Sequence, residues 1–218
     1  MVEAGRTKNY PRGCPMKGCR PLTQDEVKDI LESFAGEYAA RDRCLFVLGT
    51  LSGFRISEML SLRVKDVSLD GRVLDQVTVQ RRNMKGKQQG RTVSLHPRAQ
   101  AAIRDQLQAL AAAGLTGPDL YLFYSRKGFN QPITRQAAHA ALKAVAVANG
   151  LGGKVGTHSM RKTFAAGIYE RAVDLQRNGA AVDPLTFVQQ ALGHRNVNST
   201  VSYLSFREDL LKEAIFSL

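Results

Sequence analysis

The chain has 218 residues, 44% of them hydrophobic and 23% charged, which suits a folded globular protein and excludes collagen-like, low-complexity and wholly disordered classes. Lysine and arginine outnumber the acids 31 to 19, a formal net charge of +12, so an anionic partner is indicated, nucleic acid ahead of a membrane surface. No apolar run approaches the roughly 20 residues of a membrane span and the N-terminus lacks a signal-peptide core, so a cytoplasmic protein without membrane contact is expected.

Residues 1–21 hold Arg6, Lys8, Arg12, Lys17 and Arg20, a single acid (Glu3), and prolines at 11, 15 and 21. They read as a basic, irregular arm. Cys14 and Cys19 have the spacing of half a zinc site, but no second cysteine pair follows, so reduced thiols and no metal are expected. Residues 22–218 show no dividing linker and read as one domain. Thr23 and Glu26 form a capping-box pattern ahead of Val27, Ile30, Leu31 and Phe34 at helical spacing. A second helix is predicted from Tyr38 to Leu51, stopping near Gly53, and a short one through Ile56, Met59, Leu60 and Leu62.

The pattern then changes period. Val73, Val77 and Val79 alternate with polar residues, as do Val93 and Leu95, which predicts a β-hairpin with its turn region at 81–90. Helical spacing returns over 97–113, 134–148, 158–172, 184–192, 197–204 and 207–217, and residues 121–124 read as extended. The predicted class is mainly α with a small antiparallel β-sheet, an α+β arrangement.

Three segments carry chemistry-bearing residues: Ser52-Gly-Phe-Arg-Ile-Ser-Glu-Met-Leu60, Thr157-His-Ser-Met-Arg161, and the run from Leu192-Gly-His194 to Tyr203. Each has an ordinary explanation alone. Arg55 and Glu58 can be a surface pair at helical spacing, His158 a helix cap, Arg161 a solvated side chain, His194 a satisfied core histidine and Tyr203 a core aromatic. Together and in this order they closely resemble the catalytic domain of the tyrosine recombinase (phage integrase) family, over about Thr23 to Phe206.

The resemblance implies a set of roles. Arg55, His158, Arg161, His194 and Tyr203 would be catalytic, with Tyr203 the nucleophile and Glu58 orienting the cations. The hairpin is where the family keeps a catalytic lysine; Lys85 is the first choice and Lys87 the rival, since hairpin register is poorly fixed by sequence. The chemistry is coherent: arginine forks neutralise a phosphodiester, a base takes the tyrosine proton, and an ammonium protonates the leaving 5′-oxygen, with no metal or cofactor. Arg81, Arg82, Lys87, Arg91 and Lys162 are expected to contact DNA phosphates, as is the arm.

The resemblance further implies a site-specific recombinase acting on duplex DNA through a 3′-phosphotyrosine link, in integration, excision or inversion. Four protomers would act together, with a monomer when free and accessory DNA-bending proteins as further partners, in the cytoplasm at the nucleoid. Two other readings use the same residues: a DNA-binding regulator that lost the chemistry, and a type IB topoisomerase-like nicking and closing enzyme. Lys162 stands where many relatives carry histidine, and the connection between Arg161 and Leu192 is about ten residues longer than usual. Only about 21 residues precede the first helix, where many members carry a clamp domain; this is similar to short, catalytic-domain-only members, and Met1 favours a complete product over a fragment.

Overall fold

The computed structural model describes residues 18–79, 91–204 and 216, with backbone only for Ser202 and Tyr203. Helix α1 (Gln24–Ser33) starts as its sequence requires: the Thr23 hydroxyl accepts from the Glu26 amide at 3.1 Å, and the Glu26 carboxylate accepts from the Thr23 amide at 2.9 Å. Glu26 also pairs with Arg20 at 2.5 Å. Arg20 was read with the arm, but it is buried and donates to the carbonyls of Pro21 and Gly152. A buried guanidinium needs such partners to offset its lost hydration, so Arg20 packs with the helices.

Helix α2 (Ala39–Ser52) is buried at every position from Cys44 to Thr50. A helix apolar on all sides belongs in an interior. It ends at Gly53, whose φ of 62° is a left-handed cap, and a Cβ there would lie 2.4 Å from the Phe164 ring. Glycine is therefore required twice over, by dihedral and by space. The short helices α3 (Ile56–Met59) and α4 (Val64–Val67) follow.

The sheet region differs from the prediction. Strands β1 (Ser68–Leu69) and β2 (Arg72–Val73) form a ladder of their own, with Val73 opposite Ser68. The cause is Asp70-Gly71, both at positive φ (48° and 77°), the dipeptide that favours a two-residue hairpin turn. The second ladder joins β3 (Gln76–Val79) to β4 (Arg91–Ser94), with Val77 opposite Val93 and Val79 opposite Arg91. Residues 121–124 make only single bridges, Tyr121 to Arg63 and Tyr124 to Pro132.

Helices α5 (Pro97–Ala112) and α6 (Arg135–Ala148) match their predicted spans closely. Helix α7 runs from Thr157 to Arg177, beyond the predicted end. Most of the long connection after Arg161 is thus helix, and only residues 178–183 link it to α8 (Pro184–Leu192). The extra turns, residues 173–177, bury no residue fully and carry no apolar stripe to announce them. Helix α9 (Val197–Leu204) completes the described fold; of the predicted helix at 207–217, all but Phe216 lies outside the described residues.

Two cores result. The large one gathers Ile30, Phe46, Leu48, Phe54, Met59, Ile103, Phe123 and Met160 around α2, which packs on α5 and α7. The small one holds Ala165, Val188 and Leu192, flanked by Phe164, Ile168 and Tyr169, between α7 and α8. Among the described residues, no helix is long and apolar enough to cross a membrane.

Candidate active site

The end of α2 sets the first cation. After the Gly53 cap, buried Phe54 anchors the chain, and Arg55 precedes α3. Glu58 is 1% exposed, and its two oxygens accept from the Arg55 backbone N–H at 2.8 Å and from Arg55 Nη1 at 2.9 Å. A carboxylate buried this deeply needs both bonds. The Arg55 side chain stays 37% exposed, so Glu58 fixes one edge of the guanidinium while the group still faces solvent.

Arg161, on the first turns of α7, is the largest fully buried side chain among the described residues. Its Nη1 donates to the Gly53 carbonyl, and its Nη2 donates to the Leu192 carbonyl at 2.9 Å and meets His194 Nε2 at 3.0 Å. The guanidinium thus joins the ends of α2 and α8. Cations suit such ends, where carbonyls point outward and the helix dipole is negative.

His194 follows Gly193, whose φ of 60° caps α8 as Gly53 caps α2. A guanidinium can only donate, so Nε2 of His194 accepts from Arg161. Nδ1 then carries the hydrogen and donates to Thr200 Oγ1 at 3.0 Å. In this arrangement Nε2 of His194 is an acceptor; donating to a phosphate would require a proton on Nε2 and release from Arg161. Thr200 is fully buried on α9 and was not anticipated, although it lies inside the quoted segment one turn before Tyr203.

His158 sits on the first turn of α7 with its side chain exposed. Crowding by protein atoms lowers its pKa below the usual 6.5, and Arg161, Lys162 and Arg55 lower it further. It is therefore neutral near pH 7 and able to take a proton. Lys162 is partly buried, and its loss of hydration lowers its pKa.

Arg91, expected to contact a DNA phosphate, occupies the inward phase of β4, opposite buried Val79. Strand alternation explains this, because Arg91, Val93 and Leu95 share a face. Its Nη2 donates to the Ser52 carbonyl at 3.3 Å and to the Ala191 carbonyl, and its guanidinium carbon lies 5.6 Å from the centre of the Phe54 ring. Burial, then the neighbouring Arg161, lowers its pKa to about 10, while Glu58 acts in the opposite sense.

The structure thus brings Arg55, Glu58, Arg91, His158, Arg161 and His194 together from four separate stretches of chain. Arg81, Arg82, Lys85 and Lys87 lie outside the described residues. Tyr203 is placed by its backbone alone, on α9, which packs on α7 and α8. Among the described residues, no group of three or more His, Cys, Asp or Glu side chains is arranged to hold a metal ion.

The profile of the phage integrase family matches residues 20–208. The chain belongs to the phage integrase family. A relative in this family, the tyrosine recombinase XerD of Corynebacterium glutamicum, is 34% identical over 173 residues, covering 79% of this chain and 51% of that protein. The fold is similar to the crystal structure of XerA recombinase, with a TM-score of 0.66 at 22% identity over 93% of this chain and 66% of that one. A second similar structure is the XerH site-specific recombinase bound to its palindromic difH substrate after cleavage, with a TM-score of 0.64 at 25% identity over 91% of this chain and 53% of that one. This family member spans about half to two thirds of the length of the curated relatives it matches.

Proposed function

We propose that this chain is the catalytic domain of a site-specific DNA recombinase that breaks and rejoins strands through a 3′-phosphotyrosine link. The observation that carries the reading is the convergence of Arg55, Arg161, His158 and His194 at the ends of α2 and α8 and the start of α7. A cluster of cations with one buried carboxylate, Glu58, suits a phosphodiester.

Tyr203 supplies the nucleophile. Its oxygen attacks phosphorus, the phosphorus–O5′ bond breaks, and the 3′-phosphate stays on the tyrosine. A phenol near pKa 10 needs its proton removed, and neutral His158 accepts it. Arg55, steadied by Glu58, binds non-bridging oxygens, and Arg161 adds positive potential from behind while holding His194. Lys85, or its neighbour Lys87, protonates the leaving 5′-oxygen. A second 5′-hydroxyl reverses the sequence without an external energy source, because the phosphoester is conserved. The partners in this reading are duplex DNA, a tetramer of protomers on two sites with a monomer when free, and accessory DNA-bending proteins. The place of action is the cytoplasm, at the nucleoid. Arg81, Arg82, Lys87, Lys162 and the arm supply backbone attraction that falls steeply with salt.

The test is capture. Sheared genomic DNA is incubated with the full chain without metal or ATP, quenched in detergent, and the covalently held DNA is sequenced. Wild type should hold one recurrent site at its 3′-phosphate end. Specific binding without an adduct would instead mark a regulator, and plasmid relaxation without recombinants a topoisomerase-like enzyme.

A further inference from the structure

We infer that Arg91 is a positioning residue that holds the two halves of the phosphate-binding site in register. This rests on the proposed recombinase reading and deepens it.

The geometry is a double clip. Arg161 takes the carbonyls of Gly53 and Leu192. Arg91 takes the carbonyls immediately before them, Ser52 and Ala191. Two guanidiniums therefore grip consecutive carbonyls on the same two helix ends. One of those ends leads in three residues from Ser52 to Arg55, and the other leads in three residues from Ala191 to His194. Arg91 comes from a third element, β4, so it also ties the base of the hairpin to both ends.

Simple stability does not explain such a residue. Burial and the adjacent Arg161 work against the charge of Arg91, and its Nη1 is buried without a hydrogen-bond partner among the described residues. An apolar side chain of similar volume would avoid both costs. What it would not do is bridge Ser52 and Ala191. Since a displacement of about 1 Å can slow a reaction roughly 100-fold, a clip at this point has catalytic leverage without touching the substrate.

The test compares Arg91→Met and Arg91→Lys in the full chain, each assayed well below its own melting midpoint and per folded molecule. On a duplex carrying the captured site, Arg91→Met should bind within about threefold of wild type yet form adduct roughly 100-fold more slowly. Arg91→Lys, which can still present a cation to the two carbonyls, should recover at least a tenth of the wild-type rate. A substrate with sulfur at the bridging 5′ position needs no proton on its leaving group, so it should not rescue Arg91→Met. Rescue by sulfur would show that Arg91 works through the hairpin lysine and would overturn the clip. Equal cleavage by all three proteins would overturn it too. A separate arm needs no DNA site: inorganic phosphate is titrated into each protein and followed by the ring resonances of His194. Phosphate should bind Arg91→Met about tenfold more weakly than wild type. Equal affinities, or no binding by wild type, would overturn the inference, whereas failure of wild type to form any adduct defeats the recombinase reading alone.

Discussion

Around Arg55 the packing is deep: Phe46, Phe54, Met59 and Met160 are at most 1% exposed in a core that draws on both ladders and most helices. Around His194, among the described residues, it is thin. Ala165, Val188 and Leu192 form a separate cluster, and on α9 Val197 and Val201 remain 38% and 48% exposed. Among the described residues, Arg55 thus lies beside the large core and α9 beside the small one. Small clusters open at lower free energy than large cores. The division suits a reaction in which the phosphate is gripped in a fixed cradle while the attacking group is brought to it.

The comparison is broken most completely at Tyr203. Tyr203→Phe should abolish adduct formation while leaving the melting temperature and DNA affinity near wild type; a surviving adduct on denaturing gels would remove Tyr203 as nucleophile. Next come the two arginines. Arg161→Ala should lose both cleavage and about 3 kcal/mol or more of stability, because it empties a buried site and strands two carbonyls. Arg55→Ala should lose cleavage to a similar degree but less stability: its side chain is over a third exposed, so the cost is confined to the one oxygen of buried Glu58 left without its donor. Denaturant unfolding beside single-turnover cleavage separates the two cases.

The hairpin lysines offer a third test. Lys85→Ala should slow cleavage by roughly 10³-fold and regain it on a 5′-bridging sulfur substrate, while Lys87→Ala loses little. The opposite ranking moves the general acid to Lys87. A smaller effect sharpens the contrast of cores. Leu192→Ala should cost about 2–3 kcal/mol, and native-state hydrogen exchange should show α9 losing protection while α2 stays at the global limit. Equal loss in both would mean that the two cores unfold as one.

The smallest effect is with pH. The pKa of His158 is lowered on folding from 6.5 by crowding and by three cations. The unfolded chain therefore binds this proton at higher pH than the folded one. The stability contribution is fully present above 6.5 and is lost as pH falls through the lower folded value. Cleavage should likewise hold through pH 6.5 and decline only below it, and His158→Gln should remove that decline.

Much of this was legible in the chain. The capping box at Thr23 and the glycines after α2 and α8 carry local rules that tertiary structure did not override. The candidate residues were legible only as a pattern, since each alone has an ordinary role. What was hidden depends on contacts remote in sequence. The α7 extension has no apolar stripe, and the acceptor state of His194 follows from an arginine 33 positions away. Arg91 was a partial exception: its place two residues before Val93, in the inward phase, was readable, but its positive charge suggested solvent. The Asp70-Gly71 turn was readable too, being a strong short-range hairpin signal.

Arg161 serves the fold as well as the proposed chemistry, because it closes the joint between α2 and α8. A descendant that ceased to cut DNA would still be under selection to keep it, or would come apart. Its survival in a sequence is thus poor testimony to living activity. Arg55 is the better witness, since its side chain is over a third exposed.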